Sequence, residues 1–500
     1  MRCRWLLLAL AFAACAAPDF DVPREPSYAL DPGTDTRAKR DVDTWLARNP
    51  GPSGFYPLVE GTDSLGARLR MMEAAERTID AQYFLMKSDS AGFVFAAALL
   101  AAADRGVRVR LLLDDIFTTI RDEEIAFIDA HPNVELRLYN PISRNGIGAF
   151  NFLGDFKRAN RRMHNKSFIV DNQVAIVGGR NIADEYFDLR AEGEFLDLDV
   201  LAVGPIVAEV STEFDSYWNH ERSLPASAVV REYTESELER LRDRMNGTFL
   251  DEAETIYRDA IDSNLMGRFV RGEEDLLSAD ARLLTDGPDK LVRDRSPDEQ
   301  ALVRELAEAC NEARSEIIAL TPYFVPLDEG VAFWKRQVDR GVRVVVITNS
   351  LASNNHTAVQ SAYSGYRKDL LRAGVELYEA RAGALASSDH PGSLTLHTKA
   401  MVLDRERVFI GSLNLDPRSI EINSEMGLLI DSPELGSGLV EALFSGLDTW
   451  TYRVELNERG SVEWNANIDG EAFVTTTEPD TSWCKRCIAW FLKIVPDRQL

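Results

Sequence analysis

The stretch MHNKSFIVD, residues 163–171, sets a histidine, a lysine and an aspartate within an apolar run typical of a β-strand. A second stretch, LHTKAMVLD at residues 396–404, repeats this pattern. Each copy continues to a glycine and an asparagine at the same spacing. The two sets are His164, Lys166, Asp171, Gly178 and Asn181, and His397, Lys399, Asp404, Gly411 and Asn414. Because the histidines lie 233 residues apart in one chain, the sequence predicts one unit built twice.

A second repeat supports the duplication. The string DRGVRV occurs at residues 104–109 and again at residues 339–344. Each copy follows an amphipathic helical segment, leads into an apolar β-rich run, and has another strand-like run upstream. Strand, helix and strand in this order form a βαβ unit, so the sequence predicts an α/β fold with two homologous halves.

The predicted boundaries follow from these repeats. The sequence between the halves is charged and mostly helical in pattern, and the sequence before the first half is rich in Pro, Asp and Arg. We divide the chain into a signal peptide (1–14), a tether (15–50), a first half (51–222), a connecting helical segment (223–300), a second half (301–455) and a C-terminal segment (456–500).

The leader MRCRWLLLALAFAACAAPDF pairs two arginines with an apolar run too short to span a bilayer, as secretory signals do. The tetrapeptide ending at Cys15 resembles a bacterial lipoprotein processing site, which implies cleavage before Cys15 and a lipid on its sulfur. Ordinary secretion with an unmodified cysteine is the alternative. Either outcome predicts the cell envelope, and lipidation predicts a membrane-anchored protein on the periplasmic side.

The formal net charge of −25 opposes broad attraction to nucleic acid, so no nucleic acid partner is expected. A basic cluster before His164, formed by Lys157, Arg158, Arg161 and Arg162, could hold an anionic headgroup or be a solvated turn. The C-terminal WCKRCIAWFLKIVPDRQL predicts an interfacial helix or a helix packed on the protein. Its Cys484 and Cys487 form either a disulfide or two free thiols.

The repeated motif suits phosphodiester chemistry without a metal or other cofactor. Residues i and i+2 of a strand face one side, so each motif presents an imidazole beside an ammonium group. If the halves pack about a pseudo-two-fold axis, two such pairs meet in one cleft. One histidine then attacks phosphorus and forms a phosphohistidine, while the other protonates the leaving alcohol. The lysines neutralise the phosphoryl oxygens, and Asn181 and Asn414 donate hydrogen bonds.

A nucleophilic imidazole requires an acidic partner on its far nitrogen. Asp197 follows His164 by 33 residues and Glu425 follows His397 by 28, so these two carboxylates are the candidates. Asp171 and Asp404 complete the motifs and are counted with the catalytic residues, although we expect them to bond turn amides and stabilise their own halves.

The two His-x-Lys-x4-Asp motifs, each followed by Gly and Asn, resemble the phospholipase D superfamily. The strings DAQYFLM, NRRMHNKSFIVD and VGGRNIADEYF are most similar to the bacterial C-type cardiolipin synthases. This resemblance implies a duplicated α/β/α sandwich whose halves share one active site, with His164 as nucleophile and His397 as acid and base. Gly179 stands where many members carry Ser, matched by Ser412 in the second half, which implies one phosphate contact fewer.

The resemblance implies a phosphatidyltransferase that acts on phospholipids such as phosphatidylglycerol and phosphatidylethanolamine at a membrane surface. Three alternatives stay open: a hydrolase that releases phosphatidic acid, a secreted nuclease of the same superfamily, and a non-catalytic lipid-binding lipoprotein. The charge opposes the nuclease, and the two complete motifs oppose the non-catalytic protein.

Overall fold

A computed structural model describes residues 18–499 apart from 50, 117, 145–150, 153, 190–194, 264, 266, 267, 269–274, 293–299, 385–394, 469 and 495. The predicted signal peptide and Cys15 therefore lie outside the described residues. Among the helices of the described part, none has the length and apolar character needed to cross a bilayer.

The strands, in chain order, are β1 (Ser53–Leu58), β2 (Thr78–Tyr83), β3 (Arg108–Asp114), β4 (Val134–Tyr139), β5 (Ser167–Val170), β6 (Val174–Gly178), β7 (Phe195–Leu196), β8 (Asp199–Val203), β9 (Ser223–Pro225), β10 (Leu277–Thr285), β11 (Glu316–Leu320), β12 (Arg343–Asn349), β13 (Glu376–Ala380), β14 (Thr395–Leu396), β15 (Ala400–Leu403), β16 (Arg407–Gly411), β17 (Met426–Asp431), β18 (Thr451–Leu456), β19 (Val462–Ile468) and β20 (Glu471–Thr475). The α-helices are α1 (Arg37–Leu46), α2 (Gly61–Ala74), α3 (Ser90–Asp104), α4 (Asp122–Asp129), α5 (Phe156–Ala159), α6 (Ile206–Trp218), α7 (Ala226–Val229), α8 (Glu235–Ile261), α9 (Ala301–Glu312), α10 (Leu327–Asp339), α11 (Thr357–Arg372), α12 (Pro417–Glu421), α13 (Pro433–Phe444), α14 (Leu447–Trp450) and α15 (Trp483–Leu492). Short 3₁₀ helices lie at Asp184–Tyr186, Pro288–Leu291 and Asp497–Gln499.

The two halves have the same strand order. In the first half, β4, β3 and β2 are parallel, and β5, β6 and β8 follow antiparallel. In the second half, β13, β12 and β11 are parallel, and β15, β16 and β17 follow antiparallel. Helices α3 and α10 make the matching crossovers from β2 to β3 and from β11 to β12. The predicted duplication of a βαβ unit is confirmed.

The connecting segment contains a strand that the sequence analysis missed. Strand β10 first pairs with β1, where Ala279 lies opposite Ser53, and then with β17, where Asp280 lies opposite Asp431. It thereby joins the sheets of the two halves into one run of 18 strands. The prediction of a mostly helical segment holds for α8 and is wrong for β10.

Three apolar cores hold these layers. One lies between the first sheet and helices α2, α3 and α8, and another between the second sheet and α9, α10 and α11. The third lies between the halves and includes α6, α13 and inward side chains such as Val177 and Ile410, both fully buried. Burying one such side chain stabilises the fold by about 1.5–3 kcal/mol. The halves are therefore packed face to face by their own strands.

The predicted tether is held against the first half. Arg137 donates to the carbonyl oxygen of Glu25 at 2.9 Å, and Arg110 donates to that of Ser27 at 2.8 Å. Residues 37–46 then form α1, whose N-cap Thr36 accepts a hydrogen bond from the amide of Lys39. The predicted tether is therefore bound to the first half at Glu25 and Ser27 and is helical at Arg37–Leu46.

Candidate active site

Each motif is attached to the opposite half by a backbone hydrogen bond. The amide of His164, just before β5, donates to the carbonyl oxygen of Ser424 at 3.0 Å. The amide of His397, just before β15, donates to that of Leu196 at 2.8 Å. Strands β7 and β14 also pair in parallel across the halves. The two imidazoles therefore lie where the halves meet, and each is less than one-tenth exposed.

The two carboxylates bind the histidines across the halves. His164 Nδ1 lies 2.7 Å from Glu425 Oε2, and His397 Nδ1 lies 2.5 Å from Asp197 Oδ2. The sequence analysis identified both carboxylates, but it took each with the histidine of its own half. That pairing is wrong, because Asp197 and Glu425 lead into β8 and β17, beside the interface with the other half.

The Gly/Ser difference between the motifs has a structural cause. A Cβ atom on Gly179 would lie 2.1 Å from Asp197 Oδ1, so no side chain fits there without moving the carboxylate. Ser412 instead donates its hydroxyl to Glu425 Oε2 at 2.6 Å and accepts the amide of Met426 at 3.0 Å. In this structure the hydroxyl binds the carboxylate of Glu425, and its contact with phosphate stays a prediction.

Burial sets the protonation of the four basic groups. It lowers the pKa of His164 to about 4 and that of His397 to about 3, which the neighbouring lysines reinforce and the carboxylates oppose. Burial also lowers the pKa of Lys166 to about 7 and that of Lys399 to about 8. At neutral pH both imidazoles are therefore neutral. On His164, an Nδ1–H donated to Glu425 leaves Nε2 free to attack, whereas Nε2 of His397 lies 3.2 Å from Lys399 Nζ.

The carboxylates stay ionised for a different reason. Burial opposes ionisation of Asp197, but the charge of Lys399 and the hydrogen bond from His397 lower its pKa to about 2. Burial likewise opposes ionisation of Glu425, and His164 and Lys166 lower its pKa. The site is thus one coupled set of two carboxylates and four bases, drawn from both halves.

Aromatic rings enclose the imidazoles, and the sequence analysis gave them no role. The ring of Phe84 meets His164 edge-on at 4.8 Å. The ring of Phe195 stacks on His397 at 4.8 Å, and Tyr186 meets it edge-on at 5.2 Å. These contacts fix the ring planes. Phe84 belongs to a Tyr-Phe pair, residues 83–84, that recurs at residues 323–324, whereas Phe195 has no counterpart in the other motif.

Asp171 and Asp404 hold turns and touch neither histidine. Asp171 Oδ1 accepts the amides of Arg77 and Thr78, both at 2.8 Å, and Asp404 Oδ1 accepts that of Ser315 at 2.7 Å. Both aspartates adopt the left-handed conformation, with φ of 52° and 54°. Their place in the repeated motif therefore reflects scaffolding, as the amide-bonding interpretation expects, and their inclusion among reacting groups is corrected.

Asn181 and Asn414 lie close to the imidazoles in sequence and are buried. Within the described residues, the Oδ1 atom of each is buried and has no hydrogen-bond partner. Asn181 Nδ2 donates to the hydroxyl of Tyr186 at 2.9 Å. Because an amide can rotate to exchange its oxygen and nitrogen, each side chain can offer a donor or an acceptor to a bound group. Their hydrogen bond to phosphate stays a prediction.

Comparison of the whole sequence with known proteins identifies the family of this chain. The description "Cardiolipin synthase, PLD-like domain" matches residues 69–218 and 306–445, one range in each half. The chain belongs to this phospholipase D-like family. It is 38% identical to cardiolipin synthase C of Escherichia coli K12 over 465 residues, covering 90% of this chain and 96% of that protein. It is 27% identical to cardiolipin synthase A of Pseudomonas syringae, covering 75% of this chain and 64% of that protein.

The fold of this phospholipase D-like chain is shared with a solved structure of low sequence identity. The crystal structure of phosphatidylserine synthase from Haemophilus influenzae Rd KW20 matches with a TM-score of 0.54 at 14% identity, covering 84% of this chain and 92% of that one. The predicted duplicated sandwich is thereby confirmed.

Within the family's site, the basic cluster is mostly structural. Arg162 is fully buried and lies 3.2 Å from Asp114, and Arg158 donates to Asn140 Oδ1 at 2.7 Å. These contacts exclude a solvated turn for Arg162, and headgroup binding stays a prediction for the cluster, in which Lys157 is exposed and Arg161 half-buried. The cysteines of the C-terminal pair are free thiols on α15.

Proposed function

We propose that the protein is a phosphatidyltransferase of the cardiolipin synthase type, which moves a phosphatidyl group from phosphatidylglycerol to the hydroxyl of a second lipid. One observation carries the proposal: two histidine–carboxylate pairs, each made across the halves, lie with two lysines in one buried site. The 38% identity to a cardiolipin synthase over nearly the whole chain supports the same reaction class.

The first step forms a covalent intermediate. The lone pair on His164 Nε2 attacks phosphorus, a nitrogen–phosphorus bond forms, and the bond from phosphorus to the headgroup oxygen breaks. Glu425 accepts the Nδ1–H of His164 and stabilises the positive charge that develops on the ring. His397 takes up a proton from solvent at Nε2 when the substrate binds, and it gives this proton to the departing alkoxide. Because the anionic substrate favours the imidazolium form, its arrival raises the pKa of His397 for this task.

The second step reverses the roles. Neutral His397 takes the proton from the acceptor hydroxyl, whose oxygen attacks phosphorus and releases His164. A lipid hydroxyl gives cardiolipin, and water gives phosphatidic acid. Lys166 and Lys399 balance the negative charge on the phosphoryl oxygens in both steps. The family resemblance assigns nucleophile and acid, since each pair has a histidine bound to a carboxylate.

We propose an envelope location in which a lipid on Cys15 anchors the chain to the membrane that holds its substrate. The leader supports this, with its arginines, apolar run and Cys15. The test is the mass of the N-terminal peptide of the mature protein. A diacylglyceryl cysteine at residue 15, absent from the Cys15→Ser variant, is expected. A mature chain that begins elsewhere or carries no lipid would refute the anchor.

The activity is tested with the full chain in mixed micelles of phosphatidylglycerol and phosphatidylethanolamine, with products identified by mass spectrometry. Wild type and a His131→Ala control are expected to form cardiolipin. His164→Ala and His397→Ala are expected to form none. Cardiolipin made equally by both variants would refute the mechanism, and cleavage of DNA without lipid turnover would refute the substrate class.

A further inference from the structure

Helix α15 and the residues after it expose an unusual amount of apolar surface. Among the described residues, ten large hydrophobic side chains are exposed, and five of them lie between residues 483 and 494. The exposed fractions are 71% for Trp483, 67% for Trp490, 62% for Phe491 and 82% for Ile494. Water is a poor environment for such a cluster, which marks a surface that meets a partner.

The opposite side of α15 is fixed to the protein. Ala489 is buried, and its carbonyl oxygen accepts a hydrogen bond from the hydroxyl of Ser361 on α11. Lys485 Nζ donates to the carbonyl oxygen of Ala352 at 3.1 Å. The helix starts at the N-cap Ser482, whose hydroxyl accepts the amide of Lys485. The aromatic cluster therefore points outward from a docked helix and not from a loose tail.

The loop under α15 borders the active site. Ser353, next to Ala352, accepts a hydrogen bond from Thr395 Oγ1 at 2.9 Å, two residues before His397. Asn355 accepts one from the hydroxyl of Tyr323, whose ring lies 6.4 Å from that of His397. One loop thus separates α15 from the residues around the second catalytic histidine.

The charge of this segment identifies the partner. Between Ser482 and Ile494 there are three cations, Lys485, Arg486 and Lys493, and no acidic residue, although the whole chain has a net charge of −25. Tryptophan and phenylalanine beside lysine and arginine suit the boundary between headgroups and acyl chains of an anionic bilayer. A polar protein surface offers no such apolar layer.

We infer that α15 docks the protein on an anionic lipid bilayer and brings the rim of the active site to the membrane surface. The inference rests on the proposed phospholipid substrate. Trp490 and Phe491 enter the interface, and Lys493 binds lipid phosphates beside them. Phosphatidylglycerol then reaches the histidines from the membrane without leaving the interface completely.

The test compares vesicle and dispersed substrates with the full chain, so that the leader is the same in every variant. The double variant Trp490→Ser/Phe491→Ser removes the two aromatic rings that are expected to enter the bilayer. Val59→Ser/Leu250→Ser is the matched control, because it removes two exposed apolar side chains far along the chain from α15. Rates are measured on phosphatidylglycerol vesicles and on a short-chain phosphatidylglycerol below its micelle concentration. Quenching of tryptophan fluorescence by brominated lipid reports insertion independently of activity.

We expect the α15 variant to lose about tenfold or more in rate on vesicles and most of the quenching, and to keep the wild-type rate on dispersed lipid. The control should match the wild type in all three measurements. A vesicle rate within twofold of wild type, or an equal loss on both substrates, would overturn the inference. The inference would also be overturned if the only effect of the α15 variant were to turn a wild-type dimer into a monomer.

Failure of the proposed function gives a different pattern. Wild type would then turn over neither form of phosphatidylglycerol, while bromolipid quenching would still show whether Trp483 and Trp490 enter the bilayer. Vesicles of zwitterionic lipid alone should bind less, and Lys493→Glu should weaken quenching on anionic vesicles. Quenching that does not depend on lipid charge would contradict the anionic partner.

Discussion

Each histidine binds a carboxylate from the opposite half, and this pairing predicts different effects for mutation of the two carboxylates. Asp197→Asn removes the negative charge beside His397 and keeps the shape of the side chain. Glu425→Gln does the same beside His164. If each carboxylate serves the histidine of the other half, Asp197→Asn impairs the acid and base, and Glu425→Gln impairs the nucleophile. Pairing within a half predicts the reverse.

The size of the effect follows from the environment of Asp197. Its pKa falls from 3.8 to about 2 despite full burial, so the site stabilises the ionised form by about 2 kcal/mol at about 1.4 kcal/mol per unit. Loss of that interaction alone would lower the rate some tens-fold. An asparagine also favours the wrong imidazole tautomer, which costs about 10⁴-fold in a serine protease triad. We therefore expect a loss of about 10² to 10⁴-fold.

The assay uses two substrates that differ only in the leaving group. Phosphatidylglycerol needs a proton on its departing alkoxide, whereas phosphatidyl-p-nitrophenol releases a stable phenolate and does not. Asp197→Asn should show the full loss on phosphatidylglycerol and a much smaller loss of the p-nitrophenol burst. Glu425→Gln should lose equally on both. If Glu425→Gln is instead the variant rescued by p-nitrophenol, the cross-half assignment of roles is refuted.

Three further predictions concern neighbouring features. Gly179→Ala places a methyl group 2.1 Å from Asp197 Oδ1, so displacement of the carboxylate should reduce kcat about 10²-fold while Tm changes little; wild-type kcat would contradict this. Asp171→Ala removes the acceptor of three backbone amides and should cost about 2–4 kcal/mol in urea unfolding, with kcat of the folded protein nearly unchanged; a large fall in kcat without loss of stability would give it a catalytic role. Because activity needs charged lysines, kcat/KM should fall as pH rises through the lysine pKa values of about 7 for Lys166 and about 8 for Lys399; a profile that rises from pH 7 to 9 would contradict this.

The sequence was sufficient for the parts of the site that are repeated in it. The motifs at His164 and His397 gave the duplication, the parallel βαβ units and the reacting side chains, because matched spacing in a duplicated chain reports matched positions. Spacing along a chain does not report how two halves dock, so the exchange of Asp197 and Glu425 could not be predicted. The same limit applies to Phe195, which stacks on His397 without a counterpart in the other motif.

The predictions from the sequence were wrong for features whose contacts are distant in the chain. Strand β10 mixes polar and apolar residues and becomes a strand by pairing with β1 at residues 277–279 and with β17 at residues 280–285. Arg162 was placed at the surface because it lies in a basic run, yet Asp114 from β3 compensates its charge in the interior. In each case a long-range contact outweighs the local pattern.

The two pairs are related by the pseudo-symmetry but are chemically distinct. On one side the shorter Asp197 lies against Gly179, where a side chain would displace it, and on the other the longer Glu425 accepts the hydroxyl of Ser412. Each histidine is oriented by a carboxylate from the half that does not carry it, so a relative shift of the halves by about 1 Å would disturb both pairs at once. The face-to-face core and β10, which fix the halves to each other, are therefore as necessary to the geometry of the reaction as the motifs themselves.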